Sequence, residues 1–155
     1  KPKMIFEFGT YKGDTTYHLA KCNPDSQLTT IDFPPSEDGF IHYNQDTDFP
    51  VVFKPGERFY NTPEAARITQ LQGDTTTFDF SDHYGKYDFI YIDAEHEYKW
   101  GMSDSLNAFK MLKKGGTIVW DDYATWPGLK QAVEELAADK PIYHIESTRL
   151  AIMQG

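Results

Sequence analysis

Five short apolar stretches of this 155-residue chain run into acids. Lys3–Phe8 (KMIFEF) carries Glu7 next to Phe8-Gly9. Gln27–Asp32 (QLTTID) ends on Asp32, and Ile68–Leu71 leads into Gly73-Asp74. Tyr87–Asp93 (YDFIYID) ends on Asp93 with His96 just beyond, and Thr117–Trp120 (TIVW) runs into Asp121-Asp122. Ligands of open parallel sheets bind outside the carboxyl ends of the strands, so these groups would share one edge. Carboxylates gathered at one edge repel one another. They call for a cationic or hydroxyl-rich ligand, or a metal.

The turn after the first stretch is Gly9-Thr10-Tyr11-Lys12-Gly13, a G-x-x-x-G pattern. The dinucleotide fingerprint G-x-G-x-x-G brings backbone against a pyrophosphate. Here the turn is looser and follows Glu7, which suits a ligand with a positive amino group better than a diphosphate. Asp32 can accept hydrogen bonds from two ribose hydroxyls, a feature common to NAD and adenosylmethionine sites. Asp74 could take the exocyclic amine of an adenine. Taken singly, each acid reads better as a solvated loop carboxylate or a helix cap. The ordered set is what points to a site.

A second constellation is Asp93, His96, Asp121 and Asp122. If the fourth and fifth stretches are neighbouring strands, three acids come within reach of one point. Such hard oxygen ligands suit Mg²⁺ or Ca²⁺, with water completing the shell. His96 could act as general base on a substrate hydroxyl, because an unperturbed imidazole titrates near neutrality. For these residues alone, a metal site and simple loop or helix-start roles weigh equally.

The elements that must position these groups follow from the pattern. Asp14–Lys21 reads as a helix, with Asp14 or Thr15 as N-cap, so the first unit is strand, glycine turn, helix, strand. Residues 33–63 form an irregular insertion, holding Pro34, Pro35, Pro50 and Pro55, that could fold over the site. Within it Val51–Phe53 and Arg58–Tyr60 flank Lys54-Pro55-Gly56-Glu57 and predict a small hairpin. His42 and Tyr43 also lie in it. Thr62-Pro63-Glu64 opens a short helix, with Thr62 as cap and proline at the first position. His96–Lys113 reads as a helix whose apolar face is Met102, Leu106, Phe109 and Leu112, stopped by Gly115-Gly116. Leu129–Ala138 is a further helix, and Ile142–Ile145 and Leu150–Met153 pair antiparallel. Trp126, after the fifth strand, could line a substrate pocket. The result is an α/β domain with a mostly parallel sheet and helices on both faces.

The composition fits one domain, 39% hydrophobic and 15% aromatic. Fifteen basic residues stand against 24 acidic ones, a net charge of −9, which disfavours nucleic acid as a partner. No apolar run reaches the roughly 20 residues of a membrane span. The single cysteine, Cys22, reads as a packing residue and suits a reducing compartment, so the expected location is cytoplasmic. The chain opens on Lys1 rather than Met, as expected of a domain whose native N-terminal residues lie outside it.

Four segments then follow in order: F-E-F-G-T-Y-K-G-D-T-T, I-T-Q-L-Q-G-D-T-T-T-F-D-F, Y-D-F-I-Y-I-D-A-E-H-E-Y and L-K-K-G-G-T-I-V-W-D-D-Y. Together they resemble class I S-adenosylmethionine-dependent methyltransferases of the Methyltransf_24 type, relatives of the macrocin-type sugar O-methyltransferases and, further off, of catechol O-methyltransferase. The resemblance spans nearly the whole chain. It implies a Rossmann-like three-layer sandwich with seven strands in the order 3-2-1-4-5-7-6, the last antiparallel. It implies that Glu7, Gly9, Thr10 and Gly13 surround the methionine part of the cofactor, with Tyr11 and Thr15 also binding the cofactor. It places Asp32 on the ribose and Asp74 near the adenine, with Gly73 and Asp93 also among the cofactor-binding residues. In metal-dependent relatives, acids matching Asp93, Asp121 and Asp122 hold Mg²⁺, and in sugar-modifying relatives a histidine placed like His96 is the base. Two departures stand out: Ala94 where relatives often have glycine, and Asp121 where many have histidine. Most relatives also carry helices before the first strand. Their absence here would leave surface that favours a homo-oligomer.

The expected activity is methyl transfer to a hydroxyl of a small molecule, assisted by a divalent ion, with His96 and Asp93 as catalytic groups. The rival readings are a metal-independent methyltransferase acting on another atom, a nucleotide-dependent oxidoreductase, and an incomplete, non-catalytic domain that only binds the nucleoside cofactor.

Overall fold

The computed structural model describes residues 1–35, 40–43 and 50–155, with side chains placed outside residues 36–52. Seven strands form the central sheet: β1 Met4–Phe8, β2 Gln27–Asp32, β5 Ile68–Gln72, β6 Tyr87–Ile92, β7 Leu112–Trp120, β8 Ile142–His144 and β9 Ala151–Gln154. Their order is β5-β2-β1-β6-β7-β9-β8. β1 pairs in parallel with both β2 and β6, and β6 with β7. β9 runs antiparallel to β7 and β8. This is the expected 3-2-1-4-5-7-6 order with one antiparallel strand.

Alternation along β1 explains the layers. Ile5 packs with Leu28 and Ala20 beneath the helix α1, Asp14–Cys22. Phe6 and Phe8 point the other way, into the larger cluster with Ile90, Ile92, Met111, Trp120 and Leu129. That cluster is covered by α2, Tyr98–Met111, and α3, Pro127–Ala137. The sheet therefore lies between helices on both faces. Among the described residues, no helix is long and apolar enough to cross a membrane.

Several local expectations change. α2 buries Gly101, Asp104, Ser105, Ala108 and Met111, whereas Leu106 is exposed. Small residues win this face because α3 comes close: a Cβ on Gly101 would sit 2.8 Å from Leu129 Cδ1. α2 stops at Met111 and β7 starts at once, so Gly115-Gly116 lies inside the strand rather than ending the helix. Arg58–Tyr60 forms no strand. Instead β4, Pro50–Phe53, pairs with β3, Phe40–Tyr43. Residues 55–61 turn and dock on the glycine turn, with Gly56 N donating to Tyr11 O and Arg58 N to Lys12 O. The N-cap of α1 is Gly13 in the left-handed region, not Asp14 or Thr15. Thr62 precedes a 3-10 turn without capping it, and its hydroxyl donates to Phe59 O instead. Cys22 is exposed at the end of α1 rather than packed. The side chains of His42 and Tyr43 lie outside the described residues, as does part of the expected insertion, residues 36–39 and 44–49.

Candidate functional site

The carboxyl ends of β1, β2, β5 and β6 open into a cleft of about 530 Å³. Its floor is the approach of two strand ends. Gly9 follows β1 at φ +94°, and a Cβ there would fall 2.0 Å from Asp93 O. No side chain fits that position, so the turn presents bare backbone to the cleft.

Beneath the turn Glu7 is fully buried. Its Oε2 accepts hydrogen bonds from Thr16 and, at 2.7 Å, from Thr30. Oε1 is buried without a partner. Burial dominates over these two hydroxyls and pushes the carboxyl up to about 8. Thr10 is also buried and shares a hydrogen bond with Thr30. Thr15, half-buried on α1, is not among the residues lining the cleft; its neighbour Thr16 is the one turned to Glu7. Gly13 is likewise set back, its Cα facing Phe59.

One wall is formed at the ends of β2 and β5. Asp32 accepts from Tyr11 N at 2.6 Å and from Phe33 N at 2.8 Å, one bond to each oxygen. Burial raises its pKa and the backbone donors oppose the rise. Each oxygen keeps a lone-pair direction free of these bonds. Phe33, Gly73 and Thr75 continue the wall. Asp74 does not line it: its Oδ1 accepts from the Thr76 backbone and hydroxyl, which lowers its pKa and closes the turn. Thr75 takes the cleft position instead, and behind it the fully buried Asp104 is pushed by desolvation to about 7.

The opposite wall holds Asp93, His96 and Trp126. The His96 ring stacks on Trp126 at 5.3 Å with 12° between planes. His96 Nε2 lies 3.3 Å from Asp122 Oδ2 and 3.9 Å from Asp93 Oδ1. Neither contact has the alignment of a good hydrogen bond. The two carboxylates, Asp93 first, raise the His96 pKa against burial. Burial raises that of Asp93, with His96 opposing. Ligand-capable atoms of Asp93, His96 and Asp122 lie within 4.8 Å of one another. A small closure would bring them to the roughly 2.0–2.2 Å bonds of a divalent ion, so these residues fit one.

Asp121 does not join that group. It is 4% exposed and bonded to Arg149, from the hairpin between β8 and β9, and to the Tyr91 hydroxyl. Reading the sequence missed Arg149, Tyr91, Thr16, Thr30, Thr75 and Asp104. Alternation along β6 could have placed Tyr91 on the side of Phe89, but no local signal links Arg149 to Asp121, 28 residues earlier.

The comparisons with known proteins agree with this fold. The O-methyltransferase NovP superposes with a TM-score of 0.70 at 16% identity, covering 98% of this chain and 71% of its own. The methyltransferase PaMTH1 of Podospora anserina, solved with S-adenosylhomocysteine, gives 0.70 at 15% identity, covering 98% and 71%. MycE from the mycinamycin pathway, solved with Mg and S-adenosylhomocysteine, gives 0.65 at 18% identity; the match covers 99% of this chain and 45% of MycE. No curated protein matches the sequence. The Methyltransf_24 family, described as a methyltransferase domain, matches residues 6–123, from the middle of β1 past the Asp121-Asp122 pair. The chain belongs to the Methyltransf_24 family of class I methyltransferases.

Proposed function

We propose that this domain transfers a methyl group from S-adenosylmethionine to a hydroxyl of a small molecule. The observation that carries the reading is the arrangement of a single cleft. Asp32 and the Gly9 turn form one wall and floor, and His96 with its two carboxylates stands across from them. A methyl donor lying along Asp32 would reach Asp93 at the floor, beside His96. Its positive charge suits a cleft lined by Asp32 and Asp93. The names of NovP, an O-methyltransferase, and of PaMTH1 and MycE, both solved with the demethylated cofactor, support the same donor.

The chain's own part is to orient and deprotonate. His96 takes the proton of the acceptor hydroxyl, and Asp93 and Asp122, beside Nε2, hold the resulting imidazolium. The oxygen forms its bond to the methyl carbon as the carbon–sulfur bond breaks, the electron pair staying on sulfur. Such in-line transfer depends mainly on placing the two reactants. The Trp126 ring fixes the imidazole plane from the outer side of the cleft. A second reading rests on the convergence of Asp93, His96 and Asp122. A divalent ion held there would bind the hydroxyl and lower its pKa, with Nε2 then serving as a ligand.

Calorimetric titration with S-adenosylhomocysteine, with NAD as control, tests the donor. Saturable binding of the first alone is expected, and binding of NAD alone would overturn it. Methyl transfer to a panel of sugar and phenol hydroxyls, with and without EDTA, separates the two ways of activating the acceptor.

A further inference from the structure

The Asp121 carboxylate is saturated. Arg149 Nε meets Oδ1 at 2.6 Å, and the Asp122 backbone N–H donates to the same oxygen at 2.7 Å. Oδ2 accepts from an Arg149 guanidinium nitrogen at 2.9 Å and from the Tyr91 hydroxyl at 2.6 Å. Two carboxylate oxygens offer about four lone-pair sites, and four donors fill them. The remaining guanidinium nitrogen lies 3.3 Å from Asp122 Oδ1, leaving Oδ2 of that residue toward His96.

We infer that Arg149 is a built-in cation that withdraws Asp121 from the His96 centre and fixes Asp122 as the carboxylate shared with it. The bond pattern assigns the two neighbouring acids different jobs. Asp121 anchors the hairpin, and Asp122 serves the cleft. The fork geometry of a guanidinium bound to a carboxylate through two nitrogens makes this a directed contact rather than loose neutralisation. Arg149 is also held by its own backbone, since Ala124 N donates to Arg149 O at 3.3 Å. Its side chain is 61% exposed, so it can be replaced without opening the core. Arg149 therefore acts as a positioning residue that sets how many carboxylates the centre offers to a cation.

The inference rests on reading Asp93, His96 and Asp122 as the reactive centre, but its test needs no activity. Mn²⁺ serves as the probe, titrated by calorimetry and electron paramagnetic resonance. Removing the guanidinium in Arg149→Met uncovers Asp121 as a third carboxylate, so Mn²⁺ should bind at least tenfold more tightly than to the unaltered chain. Asp121→Asn alone should change Mn²⁺ affinity less than about twofold, because that carboxylate is already occupied. The double variant should lose the gain, as it must if the uncovered Asp121 carboxylate is its source. Arg149→Lys keeps the positive charge but not the two-nitrogen fork, so it should show part of the gain, which separates a released carboxylate from mere loss of a nearby positive charge. No gain in Arg149→Met, including no measurable binding in either protein, overturns the inference. So does an Asp121→Asn variant that loses affinity in the otherwise unaltered chain. S-adenosylhomocysteine titrated into the same samples should bind equally in all. Its failure to bind any of them would count against the proposed donor while leaving the Mn²⁺ comparison intact.

Discussion

Gly9 and Asp93 meet backbone to backbone: a Cβ on Gly9 would stand 2.0 Å from the Asp93 carbonyl oxygen and 2.8 Å from Ala94 Cα. The contact joins the ends of β1 and β6, the two strands that carry the glycine turn and Asp93. It ties the position of the floor of the cleft to that of the wall holding Asp93 and His96.

Gly9→Ala should therefore damage binding more than folding alone explains. The methyl must displace backbone, not a flexible side chain, and φ +94° is strained for any L residue. A loss of about 3 kcal/mol is expected from overpacking and strain together. S-adenosylhomocysteine affinity should fall at least tenfold in the fraction that remains folded. Gly85→Ala is the control: φ is +65° but open space surrounds the site. It should cost about 1 kcal/mol from backbone strain alone and leave affinity unchanged. Urea melts and calorimetry on both variants check the pair, and equal behaviour would refute the role given to the contact.

Glu7 links pH to stability. Its carboxyl has an ordinary value of 4.5 and sits at about 8 in the fold, chiefly through burial. Between those values the folded protein keeps a proton that the unfolded chain has lost. Stability from this group is complete below 4.5 and is lost as pH rises toward 8, at up to about 1.4 kcal/mol per pH unit. In Glu7→Gln the amide oxygen can still accept from Thr16 and Thr30, and nothing ionises. The difference in unfolding free energy, variant minus unaltered chain, should grow in the variant's favour between pH 5 and pH 8. Urea melts at three pH values measure it; a constant difference would show that Glu7 does not titrate in this window.

Much of this site was legible because a buried parallel strand is a continuous apolar run. The residue after its last apolar position then falls at the sheet edge, which located Asp32 and Asp93 and, after β7, pointed to Asp121, one residue short of the Asp122 that faces His96. Sheet order was not legible from periodicity and came from resemblance to a family. Reading failed where packing rather than pattern decides. The α2 face is chosen by Gly101, Ser105 and Ala108, small residues that carry little hydrophobic signal but admit α3. The segment after β4 holds the glycine turn through backbone bonds that any sequence can make. Arg149 reaches Asp121 across the last antiparallel hairpin, a contact fixed by topology alone.

Arg67 separates structure from chemistry. Its guanidinium donates to Ala20 O at 2.9 Å, Ser26 O at 3.0 Å and Asn23 O at 3.2 Å. These include carbonyls at the end of α1 that the helix leaves unpaired. Charge-assisted bonds of this kind are worth roughly 1.5–3 kcal/mol. Arg67→Met should lower stability by about 2 kcal/mol in urea melts while S-adenosylhomocysteine affinity changes less than twofold, since the residue lies at the far end of α1 from the cleft. A larger loss of affinity than of stability would show that α1 transmits its placement to the glycine turn.

His96 should behave in the opposite way. Side-chain general bases contribute typically about 10²–10⁴-fold to rate, so His96→Ala should lower methyl transfer to a hydroxyl acceptor by that order, read as S-adenosylhomocysteine produced. Donor-side affinity should hold within about twofold, because Asp32, Gly73 and Thr75 lie on the other wall. Trp126→Ala tests how the imidazole is held. The indole is 45% exposed, so stability should change by less than about 1 kcal/mol, yet the ring that stacks on His96 would be gone. A fall in kcat about tenfold smaller than that of His96→Ala is expected, with donor affinity again preserved. If Trp126→Ala instead raises only the KM for the acceptor, the indole is a wall of the acceptor pocket and His96 is oriented by Asp93 and Asp122 alone.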